Sequence, residues 1–245
     1  MSDSIVIIPT YNEKENINDI ILAIFNLPKS FHILIVDDGS PDGTADIVKD
    51  LQKQYADKLF LIEREGKLGL GTAYITGFKW CIENKYDYIF EMDADFSHDP
   101  KDLLRLYNAC AVKGNDMAIG SRYINGVNVV NWPMGRVLMS YLASKYVQFI
   151  LGLKIADTTA GFICYCRQVL ETIELDKIQF KGYAFQIEMK FTTYKCGFKV
   201  VEVPIVFTNR VLGISKMNSG IFGEAVFGVI KLKWQSFFRK YPQKK

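Results

Sequence analysis

The sequence predicts an α/β fold built on a mostly parallel, twisted sheet with helices on both faces. Two observations carry this expectation. Over the first 120 residues, short apolar runs alternate with segments of helical period, and Pro9, Asp37, Asp38 and Asp93 fall at or just past the carboxyl ends of the apolar runs. In order, Ser4–Ile8 reads as a strand, Glu13–Leu27 as a helix, Phe31–Val36 as a strand and Asp42–Tyr55 as a helix. Lys58–Ile62 follows as a strand, then a helix over Thr72–Glu83, a strand over Tyr88–Met92, a helix over Pro100–Val112 and a strand over Asp116–Gly120. The first helix sets Ile17, Ile20, Ile21 and Ile24 on one face, with Asn12 and Glu15 in capping-box positions. Ligands of such sheets sit outside the strands' carboxyl ends, so the residues there should converge on one crevice.

After residue 120 the rhythm changes. Met134–Leu151 reads as a helix, an apolar rod on which Arg136, Ser140, Ser144 and Gln148 recur every four residues as a narrow polar stripe. Gly161–Cys166 is predicted as a strand, Gly182–Cys196 as a helix, and Phe198–Phe207 as a strand interrupted by Pro204. From residue 218 the tail mixes Phe222, Phe227, Trp234, Phe237 and Phe238 with Lys231, Lys233, Arg239, Lys240, Lys244 and Lys245. The expected organisation is one domain over residues 1–217 and an amphipathic basic and aromatic tail over 218–245, with no internal repeat or low-complexity linker.

Composition narrows the class. With 245 residues, 49% of them hydrophobic, the chain can bury a full core. A net charge of +3 is too mild to argue for nucleic acid. The five cysteines form no C-x-x-C pair, which points to reduced cytoplasmic thiols and no structural zinc. The N-terminus lacks a signal-peptide pattern, and no run of 18 uncharged apolar residues reads as a membrane span.

Asp93-Ala94-Asp95 is the most informative motif. Residues i and i+2 of an extended chain point to the same side, so both carboxylates can face one ligand, and two hard oxygen donors suit Mg²⁺ or Mn²⁺. An Asp-x-Asp by itself is equally a chance pattern. Pro9-Thr10-Tyr11-Asn12-Glu13 offers backbone amides for an anion, a ring for a base and a carboxylate acceptor, or is an ordinary strand–turn–helix. Asp37 to Thr44 offers carboxylates to a base or a ribose, or is an acidic turn with Asp42 as the helix cap. Gly69–Tyr74 reads as a close-packed turn rather than a cofactor loop. Arg210 and Lys216 flank Gly213 in a loop that can close over a diphosphate or simply be solvated. Glu188 reads as a supporting or surface residue, and His32 and His98 as structural.

Taken together and in this order, these segments resemble the family-two inverting glycosyltransferases, specifically the dolichol-phosphate or polyprenyl-phosphate mannosyltransferases. The matching stretches also include Gly120–Tyr123, Asn131-Trp132-Pro133 through Arg136, and Gly182–Phe185, so the resemblance reaches about Met217. It implies a GT-A fold and transfer of mannose from GDP-mannose to a polyprenyl phosphate with inversion. Carried over, the donor nucleoside falls on Pro9, Tyr11, Glu13, Val36 and Asp38. Asp93, Ala94 and Asp95 fall at a divalent metal and the diphosphate, with Asp93 and Asp95 as metal ligands and Ser97 reaching the metal through water. Arg122, Arg136, Arg210 and Lys216 are the cations expected around the diphosphate and the acceptor phosphate, and Asp95, Arg122, Arg210 and Lys216 the expected catalytic set.

A phosphate acceptor is mostly anionic at neutral pH, so no general base is nominated. The acceptor's lipid tail requires a membrane surface. The helix over 134–151 and the tail are the expected interface elements of a protein peripheral on a membrane's cytoplasmic face, with room for a membrane-anchoring partner protein. Competing readings are a family-two transferase using UDP-glucose or a polysaccharide acceptor, and a non-catalytic nucleotide-sugar-binding or membrane scaffold protein. A nicotinamide dehydrogenase is disfavoured by the missing glycine fingerprint after the first strand.

Overall fold

A computed structural model describes residues 2–182, 184–210 and 220–244, with 220–225 described by backbone alone. The first half runs β1 (Ser4–Thr10), α1 (Ile17–Phe25), β2 (His32–Asp37), α2 (Thr44–Gln52), β3 (Leu59–Glu63), α3 (Leu70–Glu83), β4 (Tyr88–Glu91) and α4 (Asp102–Tyr107). The second half runs β5 (Met117–Ser121), β6 (Val129–Val130), α5 (Met134–Leu151), β7 (Ile163–Cys166), α6 (Arg167–Thr172), α7 (Ala184–Lys195), β8 (Val200–Pro204), β9 (Phe207–Thr208) and α8 (Gly220–Gln235).

Seven strands form one sheet in the order β3-β2-β1-β4-β7-β5-β8, parallel except for β7, which runs antiparallel to both β4 and β5. Strands β1 and β2 are near-continuous apolar runs because both faces are covered. Ile5, Ile7, Leu34 and Val36 enter one core with α3, α6, α7 and α8, while Val6, Ile8, Ile33 and Ile35 enter the other with α1, α2 and α4. The sequence-predicted α/β class is therefore the observed one.

Several local expectations are corrected. The first helix starts at Ile17, not Glu13; Asn12 is in a left-handed turn (φ 56°) and Asn16 caps the helix without a side-chain cap bond, so the capping box does not form. The segment after Tyr107 widens into a π turn over Asn108–Val112. The strand predicted across Pro204 is two strands in different sheets: β8 pairs with β5, and β9 pairs with β6 in a small ribbon. The short β6 and α6 carry too little periodicity to be read from sequence.

Met134–Leu151 is helical as predicted, and its polar stripe faces inward. Arg136 reaches Asn209 (3.0 Å), Ser140 accepts from the Tyr123 hydroxyl (2.7 Å), Ser144 is fully buried and Gln148 donates to the Ala156 carbonyl (3.0 Å). Met134, Leu138, Leu142 and Phe149 point outward, Phe149 at 86% exposure. Within the tail, α8 packs beside α5 and buries Val229 and Leu232 while exposing Phe227, Ile230 and Trp234, and Phe237 and Phe238 in the turn after it are also exposed. Residues beyond it fold back on the core, where the Lys244 ammonium meets both Asp116 oxygens at 2.8 Å.

Candidate active site

The loops leaving β1 and β2 are tied together at the carboxyl edge of the sheet. Asp37 accepts from the Thr10 hydroxyl (2.7 Å), the Ser40 hydroxyl (2.6 Å) and the Ser40 N–H (2.8 Å). The N–H groups of Asn12, Glu13 and Lys14 donate in turn to the side chains of Ser40, Thr44 and Asp42. This lacing fixes Tyr11 and Glu13 at the rim. Lys67 lies 5.1 Å from the centre of the Tyr11 ring, and Glu13 accepts from the Asn16 amide (3.1 Å). Asp38 is gripped by Arg64, whose Nε and Nη2 stand 2.7 and 2.6 Å from one oxygen; the Leu68 N–H donates to the other at 3.3 Å. Pro9 and Val36 are register partners, and the Val36 side chain is wholly in the core, so only its backbone can meet a nucleoside.

The acidic pair sits where β4 leaves the sheet. The Met92 N–H still pairs with the Ile7 carbonyl (3.2 Å), after which the chain turns through Asp93, buried Ala94, Asp95 and Phe96, the last at φ 56°. Asp95 is 5% exposed; its Oδ1 accepts the Ser97 N–H (3.0 Å) and its Oδ2 pairs with Arg210 (2.8 Å). Strand β9 delivers that arginine: the Thr208 N–H donates to the Ser97 carbonyl (3.1 Å), and Asn209 holds Arg136. A cavity of about 260 Å³ opens beside Asp95, between Glu15 and Asn16 on one side and Phe96 and Asn209 on the other.

The basic limb is built on aromatic rings. The guanidinium carbon of Arg136 lies 4.1 Å from the centre of the Trp132 ring, and that of Arg122 lies 5.6 Å from it and 5.2 Å from Tyr123. Asp157, fully buried, receives Arg122 through Nε and Nη2 (2.6 Å each) and through its backbone N–H (3.0 Å). Burial alone would raise the Asp157 carboxyl, but the Arg122 charge and hydrogen bonds outweigh it and hold the pKa below the usual range. His98, stacked on Phe162 with ring centres 4.8 Å apart, is buried; desolvation lowers its pKa to about 4, so the ring is neutral near pH 7.

The acidic turn and the arginines thus stand outside the carboxyl ends of the strands, where ligands of open α/β sheets bind. The sequence profile of Glycosyl transferase family 2 matches residues 5–174. The chain belongs to that family.

Among similar proteins, this glycosyltransferase is 47% identical over 226 residues to a polyprenol monophosphomannose synthase of Mycolicibacterium smegmatis, covering 92% of this chain and 85% of that one. It is 44% identical over 227 residues to an undecaprenyl-phosphate mannosyltransferase of Micrococcus luteus, covering 93% and 92%. Two solved structures share the GT-A fold. One is a glucosyl-3-phosphoglycerate synthase of Mycobacterium tuberculosis with Mn²⁺, UDP and glucosyl-3-phosphoglycerate (TM-score 0.65, 17% identity, 95% of this chain and 79% of that one). The other is a mannosyltransferase of Pyrobaculum calidifontis with GDP-Man and Mn²⁺ (TM-score 0.63, 18% identity, 98% and 66%).

The structure thus brings Tyr11, Glu13, Asp38, Asp93, Asp95, Arg122, Arg136 and Arg210 to one edge of the transferase; Lys216 lies outside the described residues. Ser97 serves Asp95 through its backbone N–H. Among the described residues, no set of three or more His, Cys, Asp or Glu side chains could hold a metal ion. A divalent cation held by the two expected ligands, Asp93 and Asp95, would have to take its other oxygens from a bound ligand and water. Gly69–Tyr74 is close-packed as expected, a Cβ on Gly71 standing 2.7 Å from the Phe185 ring, but it is no separate turn: Gly69 caps α3 and Leu70–Tyr74 is its start. Glu188 is not at the surface. It is fully buried and accepts the N–H groups of Gln179 (2.8 Å) and Phe180 (3.0 Å), with Arg239 of the tail 3.6 Å away.

Two residues of this edge escaped the sequence reading. Arg64 was findable, since it immediately follows Glu63 at the carboxyl end of β3, by the strand-end rule that singles out Asp37 and Asp38. Asp157 sits in an irregular loop with no motif around it; only its contact with Arg122 marks it.

Proposed function

We propose that this glycosyltransferase moves mannose from GDP-mannose to a polyprenyl phosphate with inversion, giving a β-linked polyprenyl phosphate mannose. The carrying observation is the likeness, over more than nine-tenths of the chain, to relatives named for that acceptor class and sugar. The site is consistent with it. Tyr11, Glu13 and Asp38 would receive the nucleoside. Asp93 and Asp95 would hold Mg²⁺ or Mn²⁺ against the diphosphate, where such an ion supplies charge stabilisation of the leaving group. Arg210, already at Asp95, is placed to follow the diphosphate as its charge develops, and Lys216 would add a second cation. Arg122 and Arg136, stacked about Trp132, would take the acceptor phosphate, which needs no base because it enters as an anion.

The outward apolar faces of α5 and α8 support docking on a membrane surface. No helix among the described residues is long and apolar enough to cross one. Instead Leu138, Leu142, Phe149, Phe227 and Trp234 lie exposed on two adjoining helices and Phe238 in the turn that follows, with Lys231 and Lys240 in the same region. Basic residues near anionic headgroups contribute roughly 1 kcal/mol each. The acceptor would then be met where its tail already lies.

The deciding experiment is a transfer assay with a panel of nucleotide sugars and polyprenyl phosphate, with and without chelator. Mannosyl transfer from GDP-mannose that stops in chelator is expected, as is loss of turnover in Asp95→Ala with the fold retained. Labelling only from a UDP-sugar, or full activity in chelator, would overturn the donor and metal assignments.

A further inference from the structure

We infer that Gln186 on α7, acting through Glu91, is a positioning residue for the acidic turn, and that α7 sets the spacing between the acidic and basic limbs of the site. This deepens the reading of Asp93 and Asp95 as the metal–diphosphate site and rests on it.

Glu91 is the last residue of β4, fully buried, and two residues ahead of Asp93, so its side chain fixes the strand end from which the acidic turn departs. Its Oε2 accepts the Gln186 amide at 2.5 Å. One turn further along α7, the Lys190 ammonium donates to the Ala160 carbonyl (2.5 Å) and to the Gln186 carbonyl (3.3 Å). Ala160 belongs to the same loop as Asp157, which grips Arg122. Two adjacent turns of one helix thus touch both limbs: Gln186 through Glu91 toward Asp93, and Lys190 through Ala160 toward Arg122.

The local chemistry argues for position rather than stability. The Glu91 carboxyl group faces the hydroxyl of Tyr165, and Glu91, Gln186, Tyr74 and Tyr165 are all buried together. Burying such a polar cluster costs desolvation free energy that an apolar pair of similar volume would avoid. What the apolar pair lacks is direction: a hydrogen bond fixes the carboxyl group at one distance and angle, whereas packed methyl groups slide.

The test uses Mn²⁺ binding to the full chain in the presence of GDP, read by electron paramagnetic resonance. Gln186→Leu should weaken Mn²⁺ binding by about tenfold, as loss of a residue orienting a metal ligand does. The paired variant Glu91→Leu/Gln186→Leu should melt near the wild type and still bind Mn²⁺ weakly. The exchange Glu91→Gln/Gln186→Glu, which keeps the bond with roles reversed, should bind as the wild type does. Phe191→Leu, a core change elsewhere on α7, should lower the melting temperature and leave Mn²⁺ binding intact. A folded Gln186→Leu or paired variant with wild-type affinity overturns the inference, as does an exchange variant that folds but has lost binding. If the wild type itself fails to bind Mn²⁺ with GDP, the reading of the acidic turn fails instead.

Discussion

Helices α5 and α7 invert the usual relation between composition and burial. The α5 sequence is mostly apolar, yet Met134, Leu138, Leu142 and Phe149 face outward while its sparse polar residues meet the protein. The α7 sequence carries Gln186, Glu188, Lys190, Thr192 and Thr193, and all five are buried. Hydrophobicity decides burial only where nothing else is asked of a helix. Here one helix is turned toward a proposed lipid surface and the other works as a polar frame beneath the site. Both departures lie next to chemistry, where local rules are expected to fail.

The contrast can be broken most forcefully at Glu188. Glu188→Ala would strip two part-buried backbone N–H groups of their acceptor and leave Arg239 without its carboxylate, at a cost of about 3 kcal/mol in urea unfolding. A loss under 1 kcal/mol would mean that α7 tolerates its polar residues rather than using them. His98 sharpens the other side of the rule, burial in neutral form. Its folded pKa of about 4 lies below the ordinary 6.5, so the unfolded chain takes up the proton first. Its contribution is complete above pH 6.5 and is lost as pH falls toward 4, about 2 kcal/mol by pH 5. His98→Phe should flatten the pH dependence of unfolding across that window; an unchanged slope would place the titration elsewhere. The smallest effect on stability is expected on α5. Leu142→Glu, at a side chain 54% exposed, should change unfolding by no more than about 0.5 kcal/mol. Flotation with anionic liposomes should nonetheless fall several-fold, with donor binding kept. If that variant unfolds, the outward face is core and the lipid-facing half of the comparison collapses.

Legibility from sequence followed contact range. Strands β1 to β4 and the carboxylates at their ends were readable because a short apolar run and a strand end are local facts. The inward turn of the α5 stripe was not, because a four-residue period gives a helix two faces without saying which one meets the protein. The antiparallel entry of β7 between β4 and β5 was equally hidden, since Ile163–Cys166 looks the same in either direction. Arg122 was legible as a cation, but the carboxylate that holds it stands 35 residues downstream in an irregular loop. Glu188 failed for the converse reason: a glutamate in a polar helical segment reads as solvated until its two N–H donors are seen.

The ion pair between Arg210 and Asp95 bears on the order in which ligands arrive. On the proposed reading, a free divalent cation approaching Asp95 meets a carboxylate already neutralised and must displace a guanidinium. A cation bound to a nucleoside diphosphate brings anionic oxygens with it, and those oxygens can receive the displaced arginine. Metal and nucleotide should therefore each strengthen the other's binding, with equal coupling in both directions. The enzyme would then ignore the free metal pool and load the two as one complex.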